Sequence, residues 1–121
     1  MGISGRANEL IDLQKLDGAG VQVMKRFTGG GTVVVDEDTI FATVIMQGSD
    51  VPTVQPFPAH IMSWSENFYM KVFEALGEFS LRENDYVFGQ RKFGGNAQAI
   101  TGKRWLHHTS FLWDYQPTRM Q

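Results

Sequence analysis

The sequence predicts an α+β domain, a mixed, mainly antiparallel sheet with helices packed on it. Apolar and β-branched runs of strand length follow one another across glycine-containing turns. A single long stretch near the middle keeps helical spacing, and helices do not alternate regularly with strands as they would in a doubly wound fold.

In chain order, Asn8 to Leu16 carries Leu10, Ile11, Leu13 and Leu16, with Gly18 and Gly20 beyond, and predicts a short helix. Val21 to Phe27 and Thr32 to Asp36 flank Gly29-Gly30-Gly31 and predict a hairpin. Thr39 to Gln47 predicts a further strand after the acidic turn Asp36-Glu37-Asp38. Gly48 to Pro58 holds three of the four prolines and predicts an irregular loop. From His60 to Phe79, the residues Ile61, Trp64, Phe68, Val72, Phe73 and Leu76 recur at helical spacing, and Gly77 stands near the expected end. Asp85 to Phe88, Lys92 to Ile100 and Arg104 to Tyr115 predict strands separated by Gly89-Gln90 and Thr101-Gly102. The total is about six strands and two helices.

Length and composition exclude several classes of function. A chain of 121 residues forms at most one domain, and 42% hydrophobic with 20% charged residues is an ordinary globular composition. A formal charge of −2 argues against a broad nucleic-acid-binding face. No apolar run approaches the roughly 20 residues that span a bilayer. The chain has no cysteine, which removes a disulfide framework, thiolate metal ligation and a cysteine nucleophile. The N-terminal residues lack the apolar region of a signal peptide, so the expected location is cytoplasmic, or an organelle if a longer N-terminus exists.

Against this weakly acidic background, six of the eleven Lys and Arg residues fall in three pairs, Lys25-Arg26, Arg91-Lys92 and Lys103-Arg104. Two of those pairs adjoin glycines, in Lys25-Arg26-Phe27-Thr28-Gly29-Gly30-Gly31-Thr32 and in Arg91-Lys92-Phe93-Gly94-Gly95-Asn96-Ala97. Glycine admits backbone N–H groups close to a ligand, and an adjacent cation holds carboxylate or phosphate. Each segment is also compatible with a plain turn carrying surface charge. Brought side by side, the two would form a cationic pocket lined by backbone, with Arg26 binding through two parallel hydrogen bonds and Lys92 acting as a point charge. Beside an acyl phosphate, the Lys92 ammonium would neutralise phosphate charge and polarise the carbonyl where negative charge develops.

His107 and His108 cannot chelate one ion, because adjacent strand residues point to opposite faces. The only other histidine is His60. One of the pair must face the core or a pocket. Asn84-Asp85 reads either as a turn or as a site at which Asp85 accepts from a nucleobase amine or ligates Mg²⁺ beside a phosphate.

Together these residues resemble the catalytic domain of the lipoate–protein ligase A and biotin/lipoate ligase family. Lys25 to Asp36 is similar to the family's Arg-Arg-x-x-Gly-Gly-Gly-x-Val segment with its acidic residue, and Asn84-Asp85 to its Asn-Asp pair. Lys92 with Gly95-Asn96-Ala97 resembles Lys-x-x-Gly-Ser/Asn-Ala, His107-His108-Thr109 resembles His-His-Gly/Thr, and Gly5-Arg6-Ala7 resembles a weaker Gly-Arg turn. The order of the motifs, over almost the whole chain, is more specific than any one of them. The resemblance implies a class II aminoacyl-tRNA synthetase and biotin-protein ligase-like fold. It also implies binding of lipoate with ATP and Mg²⁺, activation as lipoyl-AMP, and transfer to a lysine of a lipoyl carrier domain of a 2-oxoacid dehydrogenase complex or of the glycine-cleavage H protein. Lys92 is then the catalytic residue at the acyl-adenylate. Arg26, Thr28, Gly29, Gly30 and Gly31 line the ligand pocket, and Asn84 and Asp85 serve the nucleotide, with Asp85 toward Mg²⁺. Gly95, Asn96 and Ala97 support the adenylate, and His107 and His108 belong to the same site.

The chain departs from that pattern in two ways. Lys25 stands where the family commonly has Arg, without arginine's planar fork. The region ahead of the Gly-Arg turn and the C-terminal accessory domain are not in this sequence, so residues 1–121 are expected to be a partial catalytic domain, one that a second chain could complete. Two other functions stand beside the ligase: an ATP-independent lipoyl or octanoyl transferase, of which the types using a cysteine nucleophile are disfavoured here, and a non-catalytic module that binds lipoate or nucleotide. No nucleic-acid or membrane partner is expected.

Overall fold

A computed structural model describes residues 1–120. Five strands form one sheet: β1 (Thr39–Gln47), β2 (Phe79–Arg82), β3 (Asp85–Phe88), β4 (Arg91–Thr101) and β5 (Arg104–Leu112). Their order is β1-β5-β4-β3-β2, and every pairing is antiparallel. Two single-turn helices, α1 (Ala7–Leu10) and α2 (Leu13–Leu16), lie near the N-terminus, and the long helix α3 (Pro58–Phe73) connects the two sheet edges, β1 and β2. Pro58 opens α3 at a position where its missing N–H costs nothing.

Several sequence expectations are corrected. The helix expected from Asn8 to Leu16 is interrupted at Ile11 and Asp12, where the backbone is extended, and Asp12 caps the second turn by accepting from the N–H groups of Gln14 and Lys15. The hairpin expected from residues 21–27 and 32–36 does not form. Instead Met1 N donates to Met24 O, Arg26 N to Met1 O and Ile3 N to Thr28 O, so the N-terminal residues take the pairing positions. Phe79 belongs to β2 rather than to the long helix, which passes through one 3₁₀ turn at Glu74–Leu76 and ends before Gly77. β2 was not foreseen. It pairs with β3 through a two-residue turn in which Glu83 adopts φ 57°.

The buried side of α3 also differs from the periodic reading. Ile61, Met62, Ser65 and Tyr69 are buried, whereas Phe68, Val72 and Leu76 are exposed. Two apolar clusters form under the helix. One is aromatic and is centred on Tyr69, Phe79, Tyr86 and Phe111, and the other joins Val54, Ile61 and Trp105. Fully burying an aliphatic or aromatic side chain of this kind contributes roughly 1.5–3 kcal/mol. Between the clusters runs a polar seam of Ser65, His107 and Thr109, all without measurable exposure.

Registration sets the two faces of the sheet. Val44, His107, Gln98 and Ala42, Thr109, Asn96 are aligned across β1, β5 and β4 on the side covered by α3. Thr43, His108, Ala97 and Phe41, Ser110, Gly95, Asp85 are aligned on the opposite side. A bulge between β3 and β4 leaves Phe93 without a partner and pairs Lys92 with Val87. Strict alternation would have turned Lys92 toward the helix. The extra residue sends Phe93 into the aromatic cluster and Lys92 to the same side as Asp85.

Candidate functional site

The glycine-rich segment is held as a tight loop by its own arginine. Arg26 donates from Nε to Thr28 Oγ1 at 3.1 Å and from Nη2 to the carbonyls of Gly29 and Gly31 at 3.0 and 2.8 Å. These bonds engage two of the guanidinium nitrogens, so Arg26 shapes the loop that the sequence expectation places in the ligand pocket. Thr28 is buried beneath it. Gly30, at φ 88°, lies against β4, where a Cβ would stand 3.6 Å from Asn96 O and 3.8 Å from Ala97 Cβ.

Gly2 supports this loop from below, a feature no motif in the sequence indicated. A Cβ on Gly2 would fall 2.1 Å from Gly30 O, inside any allowed contact distance, with main-chain atoms on the opposing side. Gly2→Ala is therefore expected to displace the loop and to destabilise the protein by about 1–3 kcal/mol, read as a lowered thermal midpoint together with changed amide resonances at Gly29 to Gly31.

The β3–β4 pairing stops at Asp85 and Gly95, so among the described residues β4 beyond Gly95 has no strand partner on that edge. A cavity of about 240 Å³ opens there, bounded by Gly29 and Gly30 on one side, by Pro58 and Met62 of α3 on another, and by Asn84, Asn96, Ala97 and Gln98. Five expected site residues, Gly29, Gly30, Asn84, Asn96 and Ala97, are thus brought together. Met62 and Gln98 also line it, although neither carried a motif signal. The other side of the glycine loop borders a second cavity of about 330 Å³, shared with Gly5, Arg6 and Leu10.

Lys92 and Asp85 lie on the sheet face opposite α3. Lys92 Nζ stands 2.7 Å from Asp85 Oδ2, with both side chains partly exposed. Gly95 separates them from Ser110, and a Cβ there would lie 3.7 Å from Ser110 Oγ, 3.8 Å from Asp85 Oδ1 and 3.9 Å from Lys92 Cε. His108 shares this face. Its Nδ1 is 2.7 Å from Thr43 Oγ1 and its ring lies 4.9 Å from that of Phe41. Burial, and then the positive charge of Arg26, hold His108 below its ordinary pKa.

His107 points the other way, as strand alternation required, and has no exposed surface. It meets the cavity only through neighbours. Its Nδ1 is 3.2 Å from Gln98 Nε2, and its Nε2 is 3.1 Å from Tyr86 Oη and 3.3 Å from Thr109 Oγ1. Burial pushes its pKa from 6.5 down to about 4, so the ring is neutral at physiological pH. Burial likewise pushes the Tyr86 hydroxyl up.

The Lipoyl protein ligase A/B catalytic domain family matches residues 1–121. The chain belongs to this family. A Plasmodium falciparum relative named inactive lipoate–protein ligase 2 is 25% identical over 150 residues, covering 96% of this chain and 39% of the relative. Three solved structures share the fold at lower identity. The bi-partite lipoate protein ligase of Thermoplasma acidophilum, described with its E2 lipoyl domain, has a TM-score of 0.74 at 22% identity over 93% of this chain and 44% of that one. P. falciparum LipL1 in complex with lipoate has 0.75 at 22% over 99% and 34%. Lipoate-protein ligase A bound with ATP has 0.77 at 21% over 93% and 48%. The chain thus spans between a third and a half of the length of these relatives, within the class II synthetase-like fold of lipoate–protein ligases. Among the described residues, no helix is long and apolar enough to cross a membrane.

The metal expectation has a narrow basis in this lipoate-ligase-family chain. Among the described residues no three or more His, Asp or Glu side chains cluster to hold an ion, and Asp85 is paired with Lys92. A fully protein-built Mg²⁺ cage does not fit. One carboxylate beside nucleotide phosphates, which supply the remaining oxygens, does.

Proposed function

We propose that the chain is the adenylate-forming part of a lipoate–protein ligase, which activates lipoate with ATP as lipoyl-AMP, releases pyrophosphate and passes the acyl group to a lysine of a lipoyl carrier domain. The observation that carries this reading is the placement of Lys92 on β4, ion-paired to Asp85 of β3 on the sheet face opposite α3, while the same strand β4 contributes Asn96, Ala97 and Gln98 to the glycine-loop cavity. An ammonium held there suits an acyl phosphate. It offsets charge on the phosphorus oxygens and on the carbonyl oxygen that becomes anionic during acyl transfer, with no deprotonated lysine required. Asn84, Asn96 and the backbone of Gly29 to Gly30 offer neutral polar groups for a nucleotide, and Mg²⁺ would enter with its phosphates beside Asp85.

Ligand-bound relatives of the same fold, one with ATP and one with lipoate, support this assignment, and the relative described with its E2 lipoyl domain supports a carrier domain as acceptor. The acceptor belongs to a 2-oxoacid dehydrogenase complex or is the glycine-cleavage H protein. The relative named as inactive favours one further reading, a module that binds lipoate or nucleotide without turnover.

Isothermal titration of the purified chain with lipoate, ATP and Mg²⁺, combined with a pyrophosphate-release assay, separates these readings. Binding with release is expected. Binding without release supports the non-catalytic module, and acyl transfer from an acylated carrier with no ATP consumed identifies a transferase.

A further inference from the structure

The polar seam beneath the cavity has only one self-consistent arrangement of protons, because its ends are main-chain carbonyls that can only accept. Ser65 Oγ donates to Met62 O at 2.8 Å, so Ser65 must accept from Tyr86 Oη at 2.6 Å, which uses the Tyr86 proton. Asn96 Nδ2 donates to Asn84 O at 3.0 Å, which turns Asn96 Oδ1 toward Thr109. Thr109 Oγ1 donates to it at 2.6 Å and thereby uses the Thr109 proton. The two oxygens beside His107 Nε2 have therefore both given away their protons, and Nε2 must carry the hydrogen. His107 is neutral, so Nδ1 is bare and accepts from Gln98 Nε2. Pro58 O, 3.5 Å from the same Gln98 nitrogen, is compatible with this orientation. Gln98, which lines the cavity, therefore has its amide nitrogen turned toward His107, so Oε1 is the group this side chain has left to offer a ligand there.

We propose that Gln98 is a specificity-determining residue, whose fixed Oε1 accepts a hydrogen bond from an N–H or O–H donor of the ligand in this cavity. The inference rests on the nucleotide reading given above, under which that donor is a base amine or a sugar hydroxyl. The seam prevents Gln98 from flipping. A flip would set Oε1 against the bare Nδ1, leaving two facing acceptors without a donor. A ligand offering only an acceptor at this point is rejected for the same reason.

Calorimetric titration of the chain with ATP, with purine riboside triphosphate, which lacks the base amine, and with 2′-deoxy-ATP and 3′-deoxy-ATP, which each lack a sugar hydroxyl, tests this. One analogue is expected to bind about tenfold more weakly than ATP, and its identity names the donor. Gln98→Met is expected to remove that discrimination. Equal binding of all four by the wild type, or discrimination that survives in Gln98→Met, overturns the inference while leaving the nucleotide reading in place. No binding of ATP to the wild type overturns both. Independently of any nucleotide, ¹⁵N–¹H correlation of the His107 ring is expected to show a protonated Nε2 and a bare Nδ1. A proton on Nδ1 overturns the assigned orientation of Gln98.

Discussion

Lys92→Ala is expected to lower ATP-dependent pyrophosphate release by about a hundredfold or more, the scale of losing one charged donor at a developing oxyanion. Its effect on stability should be small. Lys92 and Asp85 are partly exposed, with 53% and 35% of their side-chain surfaces accessible, and ion pairs in such positions contribute roughly 0–1 kcal/mol. Rate and stability should therefore separate cleanly, with release lost and the thermal midpoint nearly unchanged. Release at the wild-type rate in Lys92→Ala would move the catalytic charge to another residue. A collapsed thermal midpoint would mean that the Lys92–Asp85 pair holds the β3–β4 bulge in place.

The second large effect concerns acid. His107 titrates near 4 in the folded chain and near 6.5 when unfolded, so between these values the unfolded state binds more protons. Stability contributed by the neutral ring is complete above about pH 6.5 and is lost as pH falls toward 4. The loss is on the order of 3 kcal/mol, a sizeable part of the 5–15 kcal/mol that typically holds a domain together. Denaturant titrations of wild type and His107→Gln across that range provide the measurement. The variant keeps an amide that can donate toward Tyr86 and Thr109 but cannot titrate, so its stability should decline less steeply. His108, also held below its ordinary value, contributes a loss of the same sign in both proteins. Parallel curves would show that His107 is not the group protonated.

Much of this could be read from local sequence. β1 and β3 lie where alternation and flanking turns placed them, and β4 and β5 differ from expectation only at their ends, because strand periodicity and glycine turns are encoded within a few residues. The opposite orientation of His107 and His108 followed from the two-residue period alone. The ordered motifs also sufficed to place the chain in the lipoate-ligase family.

Other features depended on groups distant in sequence. Residues 21–27 and 32–36 look like strands, but the bonding positions beside Met24, Arg26 and Thr28 are filled by Met1 and Ile3. Phe68, Val72 and Leu76 look like a core stripe, but the side of α3 that packs is chosen by where Tyr86, Trp105 and Phe111 stand on the sheet, and Ser65 is buried because Tyr86 Oη reaches it. Gln98 carried no motif, since its role arises from a chain of protons running through α3, β3, β4 and β5. Lys92 is the sharpest case. Its identity as a candidate was legible from the sequence, whereas the face it serves was set by a single unpaired residue, Phe93. Period and residue type are local properties and the sequence alone determined them. A bulge, the packed side of a helix and the direction of a buried proton are settled only when distant segments compete for the same space and the same hydrogen bonds.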